Sequence, residues 1–125
     1  MGGYDKDYDY QDDLNSASIF NPVTRRTCSV GNPKQARAEH TMCNNIVCGG
    51  WFREAKKSCE KFDGISSFTS LPVRLVKHRY GHLCWGLRSG DVLLLGGGFS
   101  RTTTERVSAD GSSSKLDFKL PHKIR

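Results

Sequence analysis

The side chains able to do chemistry here are five cysteines, four histidines and a few patterned stretches. One stretch, DVLLLGGGFSR (91–101), has the outline of a strand running into a phosphate-cradling loop. A dinucleotide fingerprint needs G-x-G-x-x-G opening a helix, so that free N–H groups at the helix start face the pyrophosphate. Here Phe99, Ser100 and Arg101 follow Gly96, Gly97 and Gly98, and the spaced third glycine is missing. Thr102, Thr103 and Thr104 come next, β-branched and poor at starting a helix. No Gly-Lys-Ser/Thr follows, so the glycines are read as serving the backbone.

The remaining constellations point the same way. Cys28, Cys43, Cys48, Cys59 and Cys84 contain no C-x-x-C, and with His40 and His82 they make no finger or ribbon spacing, so no metal is expected. Asp5, Asp7 and Asp9 alternate as in a calcium loop, but Tyr10 stands where an EF-hand needs glycine and Ser16 where it needs glutamate. That segment reads as a solvated acidic loop. No Ser/His/Asp order or isolated activated nucleophile stands out, so neither catalysis nor a cofactor is expected.

The elements that must carry these residues are bounded by size and charge. A chain of 125 residues has room for one domain at most. No apolar run approaches the ~18 residues that span a bilayer, and MGGYDKDYDYQDD is too polar and acidic for a secretory signal as it stands. The net charge of +6 is split: residues 1–13 hold five Asp and one Lys, leaving 18 basic and 8 acidic side chains, +10, on the rest. A basic balance of that size attracts acidic partners. The basic residues are nevertheless scattered, with no run of five and no RNA-binding motif, so a dispersed basic surface is expected and nucleic acid is not.

An internal period organises the chain. Gly2-Gly3, Gly49-Gly50 and Gly96-Gly97 are 47 residues apart, and Asp63-Gly64 and Asp110-Gly111 each lie 13 beyond the preceding pair. Asn21 precedes Arg37 by 16 residues, as Asp63 precedes Arg79, and each arginine stands three before a histidine, His40 or His82. Short strands fill the period: 40–43, 46–49, 58–62 and 67–71, then 82–87, 92–96, 104–108 and 116–120. Asn44-Asn45, Ser89-Gly90-Asp91 and the two Asp-Gly pairs supply the positive φ that tight hairpins need. No stretch has a helical period; Arg53 to Lys57 is expected to form a turn at most. The fold class is therefore all-β, with four short strands per unit, the pattern of a β-propeller blade.

The Arg/His pairs, IVCGG and LLLGG, FNP (20–22) and KFDG (61–64) together resemble the kelch repeat family, over nearly the whole chain. Phe68 and Phe118 stand where that family usually has tryptophan, whereas ERVSAD lacks the aromatic usual in a third strand. The resemblance implies about two and a half four-stranded antiparallel blades: a partial blade at 1–36, then blades at 37–78 and 79–125. Propellers close with ~4–8 blades, each buried against two neighbours, so a fragment of a longer ring, or one that assembles with other chains, is expected. Gly2, Gly3, Gly49, Gly50, Gly96 and Gly97 then end second strands. Arg37, His40, Arg79 and His82, being repeated, read as structural, the arginines as blade-to-blade ties.

Cys48 and Cys59 fall on adjacent antiparallel strands of one blade and form a candidate disulfide, suited to an oxidising compartment; two small buried thiols in the cytosol are the alternative. The odd count leaves at least one thiol free. The resemblance implies a protein–protein interaction module without catalysis, its loops (AKKS and TTTE among them) meeting a protein partner. Actin-associated scaffolds and the substrate-receptor part of ubiquitin ligase adaptors are roles it suggests. The rivals are a galactose-oxidase-like propeller of a secreted protein, which would need Tyr, His and Cys gathered at the axis, and a module binding glycans or polyanions. The compartment stays open between cytoplasmic and extracellular.

Overall fold

The computed structural model describes residues 1–2, 15–98, 101–116 and 119–123; Gly3, the Asp5/Asp7/Asp9 loop and Phe118 lie outside the described residues. Among these residues the chain is all-β and has no helix. In chain order come β1 (Ser18–Asn21), β2 (Arg26–Ser29), β3 (Thr41–Cys43), β4 (Ile46–Cys48), β5 (Trp51–Phe52), β6 (Glu54–Ala55), β7 (Ser58–Phe62), β8 (Phe68–Arg74), β9 (Leu83–Gly86), β10 (Val92–Leu95), β11 (Thr104–Val107) and β12 (Ser113–Lys115).

Connections this short allow only antiparallel neighbours. Accordingly β3-β4-β7-β8 form one four-stranded sheet and β9-β10-β11-β12 a second, each in chain order, beside the β1–β2 hairpin and a small β5–β6 pair. The described residues form no closed ring.

Burial explains the apolar runs. Ile46, Cys48, Cys59, Val73 and Leu75 of the first sheet region meet Val92, Leu94 and Val107 of the second in one buried cluster. On the opposite face of the first sheet, Val47, Phe62 and Phe68 pack against Ala17 and Val30, which flank the β1–β2 hairpin, and against Met1. With both faces covered, β4 is buried along its whole length, and its unbroken Ile-Val-Cys replaces alternation. In β10 the period of two returns: Val92 and Leu94 are buried, Leu93 and Leu95 half-buried. Leu83 (53% exposed) and Trp85 (66%) mark the second sheet's other face as open.

The turns follow from their residues. Asn44 and Asn45 join β3 to β4 with φ of 51° and 61°, a left-handed pair that asparagine tolerates better than most residues. Asp63 Oδ1 accepts N–H bonds from Ile65, Ser66 and Ser67. Asn21 Oδ1 does the same for Val23 and Thr24, and Asp110 Oδ1 for Ser112. The three spaced landmarks are thus one device: a side chain that closes a hairpin turn, between β1 and β2, β7 and β8, and β11 and β12.

Three local readings needed revision. The 53–57 stretch, expected as a turn, lies largely in the Trp51–Phe52/Glu54–Ala55 hairpin, with Arg53 at φ 62°. The fourth strand of the first sheet runs on to Arg74 through Pro72, which is tolerated because β8 is an edge strand with a bulge opposite Ser58–Glu60. The last strand lies at Ser113–Lys115 and not at 116–120, because the Asp110–Gly111 turn sets its register from Val107↔Ser113 onward.

Candidate functional site

The most chemically loaded residues lie where each sheet meets the segment leading into it. Arg37 is wholly buried, and every N–H of its guanidinium is engaged. Nη1 donates to the carbonyls of Gly49 (2.7 Å) and Ser58 (3.0 Å), Nη2 to Ser58 Oγ (2.9 Å) and Glu60 Oε2 (3.1 Å), and Nε to Glu60 Oε2 (3.3 Å). The Glu60 carboxylate also accepts the N–H groups of Lys34 and Gln35, pinning the incoming chain to β7.

The second sheet repeats this node. Arg79 donates from Nε to Glu105 Oε2 (2.7 Å), from Nη1 to the carbonyls of Gly96 (2.7 Å) and Thr103 (3.1 Å), and from Nη2 to Thr103 Oγ1 (3.0 Å). Glu105 accepts from the N–H groups of Val76 and Lys77. These guanidiniums are spent on the scaffold and have little left to offer a ligand. Burial pulls the Arg37 pKa down, and the Glu60 charge and hydrogen bond oppose that pull.

The arginine side chains bond within their own sheets. One tie from sheet to sheet runs through the main chain: the Arg79 carbonyl accepts Gly50 N–H at 2.7 Å. This explains the glycine pairs. Gly49 and Gly50 have φ of 66° and 94°, and a Cβ on Gly49 would collide with the Arg79 carbonyl oxygen. Gly96 and Gly97 repeat the positive φ at 71° and 102°, and Gly2 stands against the Arg37 carbonyl as Gly49 does against that of Arg79. Gly98, outside the repeat, lies under the Tyr80 ring, which would overlap any Cβ there.

His82 Nε2 meets Thr41 Oγ1 at 2.6 Å, joining the second sheet's entry to β3 of the first. Burial, helped by the charge of Arg79, lowers its pKa to about 3, so the ring is neutral at physiological pH. His40 is lowered as well, by burial first and then by the positive charges of the Met1 amino group and Arg37. His82 thus links the two sheets, whereas His40 lies against Gly2 and Gly50.

The cysteines form two disulfides. Cys48 and Cys59 are directly paired across β4 and β7, with Cα atoms 4.2 Å apart. Cys43 and Cys84, with Cα atoms 6.2 Å apart, bridge β3 to β9 and staple one sheet to the other; Cys28 is free and exposed. Spacing along the chain gave no sign of the second bond, since 41 residues separate its ends. Nor were Glu60, Glu105 and Thr41 singled out, although Glu60 and Glu105 keep the same 45-residue offset as Ser58 and Thr103. A charged residue inside an otherwise buried strand was the available signal. Among the described residues no group of three or more His, Cys, Asp or Glu side chains is placed to hold a metal.

One accessible feature is a strand connection. Lys56 and Lys57 link β6 to β7 and, with Gln35, Glu54, Ser58, Arg74 and His78, surround a cavity of about 150 Å³. No family model matches the chain, and no curated protein matches it.

Proposed function

We propose that the chain is a non-catalytic protein-binding module built of kelch-type β-propeller blades, presenting its strand connections to a protein partner. The observation that carries this reading is the duplicated node, Arg37–Glu60–Gly49 in one sheet and Arg79–Glu105–Gly96 in the next. Buried polar chemistry is spent twice over on fixing one sheet geometry. Chemistry with a substrate calls for such groups to be left unsatisfied at a single place. A repeated rigid frame with variable exposed connections suits recognition.

The two disulfides favour a partner met in an oxidising compartment, and so an extracellular scaffold over the cytosolic actin and ubiquitin-ligase roles. The test uses the full chain with a photoreactive side chain at position 57, and at position 114 on the far edge strand for comparison. One protein should be captured from secreted material at position 57 and should then bind saturably when purified. Capture no stronger at 57 than at 114, with no saturable binding, rejects the reading.

A further inference from the structure

We propose that the cavity bordered by Lys56, Lys57, Arg74 and His78 receives an acidic side chain from a peptide segment of the protein partner, an inference that rests on the protein-binding reading above. Three cationic side chains converge there, while the single carboxylate on the rim, Glu54, is 78% exposed and already faces Lys56 Nζ at 3.7 Å. The wall thus keeps surplus positive charge. At about 150 Å³ the space is below the ~300 Å³ at which small-molecule pockets begin, and matches one acidic group in size.

The fold builds this cavity deliberately. The bulge opposite Ser58–Glu60 returns Arg74 to pair with Ser58, directly beside Lys57. Leu75 N–H then bonds to the Lys57 carbonyl at 2.8 Å, holding the two basic segments together. The second sheet repeats the bond 45 residues later, from Leu120 N–H to the Thr102 carbonyl at 2.8 Å. At that same offset Arg101 answers to Lys56, Lys119 to Arg74 and Lys123 to His78. Basic residues thus recur at the positions of the second sheet that are equivalent by sequence offset and by this backbone bond. A segment with acidic residues at intervals fits basic positions repeated in this way.

Fluorescence anisotropy of a fluorescein-labelled Gly-Glu octapeptide with the folded full chain, at about 0.15 M salt, tests this. Saturable binding is expected, weakened about tenfold or more by Arg74→Glu and by Lys57→Glu. Arg88→Glu, exposed in the β9–β10 turn at the opposite end of its sheet, should change it less than about twofold. Circular dichroism melts check that each variant is folded. Absence of saturable peptide binding overturns the proposal, as does equal loss on Arg88→Glu, which would indicate a diffuse field. Heparin binding that is sensitive to Arg74→Glu, without peptide binding, replaces the peptide by a glycan. If the peptide fails while photocapture at position 57 still yields a saturable protein partner, only the acidic pocket falls; if both fail, the protein-binding reading falls too.

Discussion

Arg79 Nε donates to Glu105 Oε2 at 2.7 Å with both side chains fully buried, whereas the Arg106–Asp91 pair, at 2.6 Å, is partly solvent-exposed. Distance alone would rank them equal; burial separates them. Removing the charge of Glu105 strands a guanidinium in low dielectric, which costs about 3–5 kcal/mol, whereas an exposed pair is worth at most about 1 kcal/mol. Urea unfolding of Glu105→Gln and Arg106→Gln should show that contrast. Similar losses from the two would mean that the node does not hold the sheet.

The disulfides should differ in worth. Cys43–Cys84 closes 41 residues and Cys48–Cys59 closes 11. Loop-closure entropy then gives about 4 and about 3 kcal/mol, respectively. Cys43→Ser with Cys84→Ser should therefore lower stability more than Cys48→Ser with Cys59→Ser. Titration of the native chain with a thiol reagent should find one reactive cysteine, Cys28; five reactive thiols would refute both bonds.

Acid should weaken the fold before the carboxylates titrate. His82 falls from 6.5 to about 3 on folding, so the unfolded chain binds more protons between those values. Its contribution is complete above about pH 7 and declines as pH falls, by up to about 1.4 kcal/mol per pH unit. His40 acts in the same direction. Melting curves between about pH 7 and 4.5 should show the decline, and His82→Gln should flatten it. An unchanged slope in that variant would remove His82 as its source.

Gly98 and Tyr80 should be coupled. A methyl at position 98 overlaps the Tyr80 ring, so Gly98→Ala should cost about 1–3 kcal/mol. In a Tyr80→Ala background most of that cost should vanish. A double-mutant cycle with coupling of about 1 kcal/mol or more supports the contact; strict additivity contradicts it.

Spacing alone dictated much of this architecture. Glycine pairs 47 residues apart, Asx-led turns and short apolar runs depend on local backbone preferences, which a chain carries residue by residue. Asn44-Asn45 and Asp63-Gly64 could be placed as turns before any contact was known, since positive φ and side chain-to-backbone bonds need only near neighbours. The roles of Gly49 and Gly50 were half legible: a backbone role at a strand end was expected, but the atom that leaves no room for a side chain, the Arg79 carbonyl oxygen, comes from the next unit.

Tertiary structure decided what depends on distant partners. Glu60 and Glu105 became charged hubs only when Arg37 and Arg79 were folded onto them. Cys43 found Cys84 only because two sheets stack, and Lys57 and Arg74 came together only through a bulge in an edge strand. Local sequence sets which turns and strands can form. Packing alone decides which buried donor meets which acceptor, because that pairing is enforced by the cost of leaving either one unsatisfied.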